Sequence, residues 1–356
     1  MKTIVQVVQH LRPGGLEVMA LELMKFSHHG HAMKIVSLEG DATSALAAWP
    51  RLREFDNQLV FMNKAPGFTP STVVSLKRLL TSLNADLIHT HHIGPYFYGG
   101  LAAFLSRIPH VHTEHDAWHY SNKRHQMLHR IVSTFGNPIR VADADVVAHA
   151  LSSISGMNDI RVIKNGVDTA KYVPGEKTAA RVAMQLPTHV KMVGASGRLE
   201  EVKGHGVLIS AMAELPSHIH LAIAGSGSME MQLKDKAKSL NLSDRIHFLG
   251  HVENMPQFYQ SLDLFCLPSF NEGFPLAPLE AQACGIPTAV TNVGGAVETL
   301  CPESGLILKA GDANDMAEKI ITRIHGVKSS NPRAFISKHA DVRTMAHAYD
   351  SLAEGL

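Results

Sequence analysis

The chain has 356 residues, 45% of them hydrophobic and 18% charged, which is the length of about two ordinary domains with ample material for a core. Thirty-three Lys and Arg against 32 Asp and Glu leave a formal charge of +1, which argues against a polycation held to nucleic acid by phosphate contacts. The three cysteines, Cys266, Cys284 and Cys301, contain no CxxC pair and no disulfide framework, as suits a reducing cytosol.

At the N-terminus Lys2 precedes an apolar stretch from Thr3 to Val8, but Gln6, Gln9, His10 and Arg12 break any signal-peptide core. No apolar run approaches the roughly 18–20 residues of a spanning helix. The expectation is a cytoplasmic protein, in solution or peripheral on the inner face of the cell membrane. Strands are expected at Ile4–Val8, Lys34–Leu38, Gln58–Met62, Asp86–His89, His110–Thr113, Asp145–Ala148 and Arg161–Ile163. A second series follows at Met192–Ser196, His220–Ala224, Ile246–Leu249, Leu264–Leu267, Pro287–Val290 and Gly305–Leu308. Between them, Gly15–Phe26, Ser71–Leu83, Gly204–Ala213, Met229–Leu240 and Met316–His325 have helical spacing.

Short continuous apolar strands alternating with helices predict buried parallel sheet covered on both faces. Two such series predict an α/β chain of two facing Rossmann-like, doubly wound domains with a cleft between them. The expected divisions are 1–164, 165–333 and a C-terminal helical segment, 334–356, returning to the first domain. The joint is placed in Asn165–Lys191, where Gly166, Pro174, Gly175 and Pro187 gather and periodicity lapses. In such sheets ligands bind beyond the carboxyl ends of the strands, so the loops after strands carry the weight of the reading.

Three of those loops stand out. Leu11–Glu17 brings Gly14 and Gly15 to a helix start, where free N–H groups suit an anion; a tight turn needs glycine in any case, and the GxGxxG dinucleotide pattern is absent. Gly197–His205 places Arg198 and Lys203 five apart in a loop before a helix, so that a forked and a mobile cation can meet one phosphate. Asn271–Ala281 carries Glu272 and Glu280 across a helix start, acceptors for sugar hydroxyls, with the N–H groups of Gly273, Phe274 and Leu276 beside them.

With these loops in order, the chain resembles the family 4 retaining glycosyltransferases, or group 1 glycosyl transferases, of the GT-B fold. Further anchors are Asn165-Gly166-Val167-Asp168, Gly225-Ser226-Gly227 and Asn292-Val293-Gly294-Gly295 with Glu298. The resemblance implies that Arg198 and Lys203 bind the donor diphosphate and stabilise the departing nucleotide, with Gly15 approaching the phosphate from the other domain. Glu272 with Gly273, Phe274, Pro275 and Leu276 would hold the donor sugar, Glu280 the ribose, and the Gly250-His251-Val252 loop the base. His115 matches the family's active-site histidine. It implies a nucleotide-diphosphate sugar as donor, with UDP favoured over GDP, a glycan or lipid-linked acceptor, front-face retaining transfer, and no cofactor or metal. Two departures lie on the acceptor side: Asp116 follows His115 where glycine is frequent, and His149–Asp159 is short.

Other features compete. His89-Thr90-His91-His92 after a strand has the look of a metal-ligand cluster and keeps a metal-dependent hydrolase using His89 and His91 in play. His91 and His92 as acceptor contacts are the alternative, and a non-catalytic nucleotide-sugar or glycan-binding protein is a third. Asp143-Ala144-Asp145 spells the acidic triplet of a metal-using glycosyltransferase fold, yet as the start of a strand it would point away from the site. Trp118–Arg140 carries Lys123, Arg124, Arg130 and Arg140 without an acid, among His119, His125 and His129. Its first part reads as a basic amphipathic helix ended by Gly136 and Pro138. An anionic lipid surface or a phosphate-bearing acceptor is its expected partner.

Overall fold

The computed structural model describes residues 1–27, 30–154, 157, 159–326 and 331–356. The chain divides into two compact units, one of Met1–Asn165 with Val342–Leu356 and one of Gly166–Asp341.

The first unit is built on seven parallel strands: β1 (Thr3–Val8), β2 (Ala32–Ser37), β3 (Leu59–Phe61), β4 (Leu87–His91), β5 (His110–Glu114), β6 (Ile139–Ala142) and β7 (Arg161–Val162). Their order across the sheet is β3-β2-β1-β4-β5-β6-β7. The helices are α1 (Gly15–Phe26), α2 (Ala42–Ala48), α3 (Ser71–Ser82), α4 (Ile93–Ser106), α5 (Lys123–Phe135) and α6 (Asp145–Ser152). Alternation along β1 explains the layers: Ile4 and Val8 pack towards α1, while Val5 and Val7 pack towards α3 and α4.

The second unit has six parallel strands, β8 (Lys191–Ser196), β9 (Ile219–Ala224), β10 (Ile246–Gly250), β11 (Leu264–Leu267), β12 (Thr288–Thr291) and β13 (Leu306–Leu308), in the order β10-β9-β8-β11-β12-β13. Around them lie α7 (Lys177–Ala183), α8 (His205–Ala213), α9 (Glu230–Ser239), α10 (Met255–Gln260), α11 (Leu276–Ala283), α12 (Ala313–His325) and α13 (Pro332–His339). Val193, Ala195, Leu221 and Ile223 meet Leu208, Met212, Met316 and Ile320 in one core. In both units the strand order reverses beside the first strand, between β1 and β4 and between β8 and β11. Such switch points leave a crevice at the carboxyl ends.

Three expectations are corrected. Asp145–Ala148 is the first turn of α6, and the sixth strand is Ile139–Ala142, whose apolar run Arg140 interrupts. Arg140 is nonetheless buried, with its guanidinium donating to Ser133 Oγ at 2.8 Å. The joint region Asn165–Lys191 contains α7, fixed by the buried Arg181, which bonds Asp263 Oδ2 at 2.6 Å. The segment placed as one terminal helix is two. Arg333 of α13 bonds the carbonyls of Thr169, Tyr172 and Ala283, all in the second unit. Only α14 (Val342–Glu354) belongs to the first, where Asp350 accepts from Ser27 Oγ at 2.7 Å and Lys2 Nζ caps Ala353. Of the short stretch His149–Asp159, residues 155, 156 and 158 lie outside the described residues.

Candidate functional site

In the second unit the expected donor-side residues gather at the carboxyl ends of β8 and β11, on either side of the switch point. Lys203 lies in a single helical turn before α8, and the chain leaves that turn through Gly204 at φ +65°. A Cβ at Gly204 would stand 2.1 Å from the carbonyl oxygen of Pro268, so glycine alone lets the Lys203 loop close on the loop after β11. The result is an ion pair: Lys203 Nζ is 2.7 Å from Glu272 Oε1, which also accepts from Ser269 Oγ at 2.6 Å. Glu272 is itself clamped from behind. Gly294, at φ +48°, has no room for a Cβ, which would stand 1.8 Å from the Glu272 carbonyl, and Gly295 N–H bonds the carbonyl of Gly273.

Arg198 is exposed at the same end, and its neighbour Glu200 turns away to Ser228 Oγ at 2.8 Å. Beyond Glu272 the backbone runs through Gly273, buried Phe274 and Pro275 into α11, which begins at Leu276 without a side-chain cap. That leaves first-turn N–H groups for a ligand. Glu280 lies on α11, and two phenols missed by sequence reasoning orient it. Tyr172 Oη donates to Oε1 at 2.8 Å and Tyr259 Oη to Oε2 at 2.7 Å. Burial and the Glu280 charge push the Tyr259 phenol well above its usual pKa, so it stays a donor. At the end of β10, Gly250 turns the chain at φ +64°, leaving His251 exposed and Val252 half-buried.

In the first unit, Gly14 is the extended N-cap of α1, and Gly15 opens the helix with nothing within 4 Å of where a Cβ would stand. The β4 histidines separate. His91 is fully buried between Gln6 and His115, with ring contacts of 3.2 and 3.3 Å, whereas His92 is exposed at the start of α4 with φ +67°. That backbone conformation is costly for a non-glycine residue and is characteristic of functional loops. His89 faces inward to Thr113 Oγ1 at 2.8 Å and to the Tyr349 ring. These side-chain partners account for His89 and His91 as internal residues, and among the described residues no group of three or more His, Cys, Asp or Glu is placed to hold a metal ion.

His115 follows β5 and pairs through Nδ1 with Asp143 Oδ2 at 3.0 Å. The placing of Asp143 at the start of a strand is thereby corrected: it follows β6, at the carboxyl end of the sheet. The β5–β6 register that pairs Glu114 with Ala142 sets the next two residues, His115 and Asp143, side by side.

The basic segment is corrected in part. Lys123, Arg124 and Arg130 are exposed on α5 beside Met127 and Phe135. Arg140 is inside, and so is His129, whose ring meets Tyr96 Oη and Ser133 Oγ. His119 is held by Asp116 at 2.7 Å and His125 by the His119 carbonyl at 2.9 Å. The departure at Asp116 thus has a structural use. Among the described residues no helix is long and apolar enough to cross a membrane.

Known proteins resemble this chain in sequence and in fold. The family profile for Glycosyltransferase Family 4 matches residues 13–171, and that for Glycosyl transferases group 1 matches residues 176–338. The chain is 32% identical over 291 residues to the D-inositol 3-phosphate glycosyltransferase of Mycolicibacterium smegmatis, covering 75% of this chain and 66% of that protein. It is 34% identical over 212 residues to the lipopolysaccharide core biosynthesis mannosyltransferase LpsB of Rhizobium meliloti, covering 54% and 60%. The chain spans about two thirds of the length of the curated relatives it matches. In fold it is similar to Anabaena HepE in complex with UDP and glucose, with a TM-score of 0.85, 23% identity and full coverage of both chains. Two profiles that follow one another along the chain, and between them take in the anchor loops of both units, settle the matter: the chain belongs to the group 1, family 4 glycosyltransferases.

Proposed function

We propose that this protein is a retaining, metal-independent glycosyltransferase that moves a hexose-type sugar from a nucleotide-diphosphate sugar to a glycan or lipid-linked acceptor in cell-surface polysaccharide biosynthesis. The observation that carries the reading is the second unit's cluster of Lys203, Glu272 and Arg198 at one switch point, with Glu280 on the adjoining helix. In this assignment Glu280, oriented by Tyr172 and Tyr259, accepts from the ribose hydroxyls, and the His251–Val252 backbone meets the base. Glu272 and the Gly273–Leu276 backbone hold the sugar.

Breaking the glycosidic bond leaves charge on the diphosphate. Cations already in place for that charge lower the barrier without rearrangement. Lys203 and Arg198 take that work, Lys203 exchanging its Glu272 partner for the phosphate. The first unit, with Gly15, His115 and His92, is assigned the acceptor and the approach to the transferred sugar; His91, fully buried, only backs His115. A diphosphate oxygen takes the acceptor's proton. The preference for uridine rests on the likeness in fold to HepE, whose complex with UDP and glucose sets the first donor to try. Lys123, Arg124 and Arg130 on α5 are assigned a peripheral contact with anionic lipid, on the cytoplasmic side where nucleotide sugars are supplied.

The test is thermal stabilisation by UDP, GDP and their sugars, followed by transfer to lipid-linked acceptors read by mass spectrometry, with and without a chelator. Stabilisation by one nucleotide diphosphate and chelator-resistant transfer are expected. No response to any nucleotide diphosphate overturns the donor assignment, and activity abolished by the chelator overturns the metal-independent mechanism.

A further inference from the structure

At the carboxyl end of the first unit's sheet, a chain of polar contacts runs from the core to His115. Gln6 on β1 donates Nε2 to the carbonyl of Ala20 at 2.9 Å. Its other amide atom, Oε1, lies 3.2 Å from His91 Nε2. The amide orientation is set by the Ala20 carbonyl, which accepts only, so Oε1 is the acceptor and His91 Nε2 carries a proton. Burial, together with His89, His115, His112 and His92 nearby, holds the His91 pKa well below its usual value. The ring is neutral, and its Nδ1 is a bare acceptor. That atom lies 3.3 Å from His115 Nε2, which therefore supplies the N–H of the contact. On its other edge His115 meets Asp143, whose Oδ2 also accepts from Asn165 Nδ2 at 3.2 Å. Asp143 is 1% exposed, and a carboxyl so enclosed makes its partner hold a proton.

We propose that Asp143 is a positioning residue for His115, keeping a proton on the Nδ1 edge so that Nε2 keeps its own, donated to His91 Nδ1 in this structure, and His115 is a hydrogen-bond donor and not a general base. One proton lies between Nδ1 and Oδ2, whether written as imidazolium and carboxylate or as a neutral pair. In both forms Nε2 keeps its own proton. Turned from His91 Nδ1 to a bound substrate, that N–H would steady a sugar hydroxyl or a phosphate oxygen gaining negative charge. The groups facing the pair are His89, His91 and His92 from β4 and the start of α4, Asp116 after β5, Asn165 after β7 and Tyr349 on α14. The role rests on the proposed assignment of His115 to the transferred sugar.

The experiment uses the full chain with 15N-labelled histidine, in wild type and in Asp143→Asn, together with pH profiles of kcat/KM. In wild type the His115 Nε2 resonance is expected to be that of a protonated nitrogen across pH 6–8. In Asp143→Asn the residue facing Nδ1 is neutral, and Asn165 Nδ2 keeps the facing oxygen an acceptor, so the one proton of a neutral ring goes to Nδ1 and Nε2 is left bare. The Nε2 resonance then becomes that of an unprotonated nitrogen and kcat/KM falls about tenfold, while donor KM changes less than twofold. An unprotonated Nε2 in wild type overturns the proposal whether or not the variant folds. A variant with an unchanged Nε2 resonance and unchanged kcat/KM overturns it equally. If the resonance changes as expected but wild type transfers no sugar, the proton arrangement stands and the functional assignment of His115 fails.

Discussion

The histidines buried in the first unit make its stability depend on pH in a way that can be worked out in advance. His89, His91 and His110 are all inside the sheet region, bonded to Thr113, Gln6 and Thr90 respectively. Burial holds His89 down to about 3, with His112 and His115 adding to it, and holds His91 and His110 well below the usual range. Because the folded values are depressed, the stability these groups contribute is fully present above the unfolded value near 6.5 and is lost as pH falls below it. Each costs roughly 1.2 kcal/mol between pH 7 and pH 5.5, so the three remove about 4 kcal/mol, a large fraction of a domain's stability. His119 opposes this. Burial works against its charge, but the bond to Asp116 and nearby Glu114 raise its pKa, returning part of the loss. Glu114, held at about 2 by His112 and His119 against the effect of burial, titrates below this window.

The assay is urea unfolding at pH 7.5, 6.5 and 5.5, followed by tryptophan fluorescence, since Trp49 and Trp118 both lie in the first unit. The midpoint should fall steeply between pH 6.5 and 5.5. His110→Gln should reduce that pH dependence by about a third. A smaller effect is expected in the second unit, where His205 is the fully buried histidine, held to about 4 by burial and Lys203. Hydrogen exchange in peptides covering β8 and β11 reads that unit separately. A fluorescence midpoint that stays constant from pH 7.5 to 5.5 would refute the reasoning, because three buried imidazoles must then be taking up protons at no cost.

Four further outcomes follow from the second unit and from α5. Lys203→Ala should lower turnover by about 3 kcal/mol of transition-state stabilisation while circular dichroism stays unchanged; near wild-type turnover removes Lys203 from the mechanism. Glu280→Ala and Tyr172→Phe should weaken binding of UDP itself, whereas Glu272→Ala should weaken the additional, sugar-dependent affinity of the UDP sugar; equal calorimetric losses for both ligands in all three contradict that division. Gly294→Ala should abolish donor binding, because an added Cβ 1.8 Å from the Glu272 carbonyl at φ +48° must displace the Glu272 loop; an unchanged affinity shows that the clamp is dispensable. Vesicle binding should fall steeply with salt and be lost in a Lys123/Arg124/Arg130→Ser variant, each cation adding on the order of 1 kcal/mol near an anionic surface, and equal, salt-independent sedimentation of variant and wild type counts against lipid contact.

Most of the architecture was readable in the residues because a parallel strand buried on both faces is a continuous apolar run, unlike the helices between. Gly15–Phe26 and Leu264–Leu267 have the predicted bounds. Reading failed where a side chain's environment departs from its type. Arg140 breaks the apolar run of β6 but is buried against Ser133. Val146 and Val147, β-branched neighbours that suggest a strand, sit in the first turns of α6. That one-element slip had a functional consequence, since it moved Asp143 from the carboxyl end of the sheet to the opposite end and concealed its pairing with His115.

The glycine-bearing loops, and with them the family, were determined by the sequence alone, because each motif lies within a dozen residues; what Gly204 and Gly294 close against, Pro268 and Glu272, was not. Partnerships between distant residues were decided only by the tertiary structure. Tyr172 reaches Glu280 across 108 positions and Gln6 reaches His91 across 85. Nothing at either position announces the other, because such pairs are created by strand register and helix packing, which bring donor and acceptor together only once the sheet has closed over them.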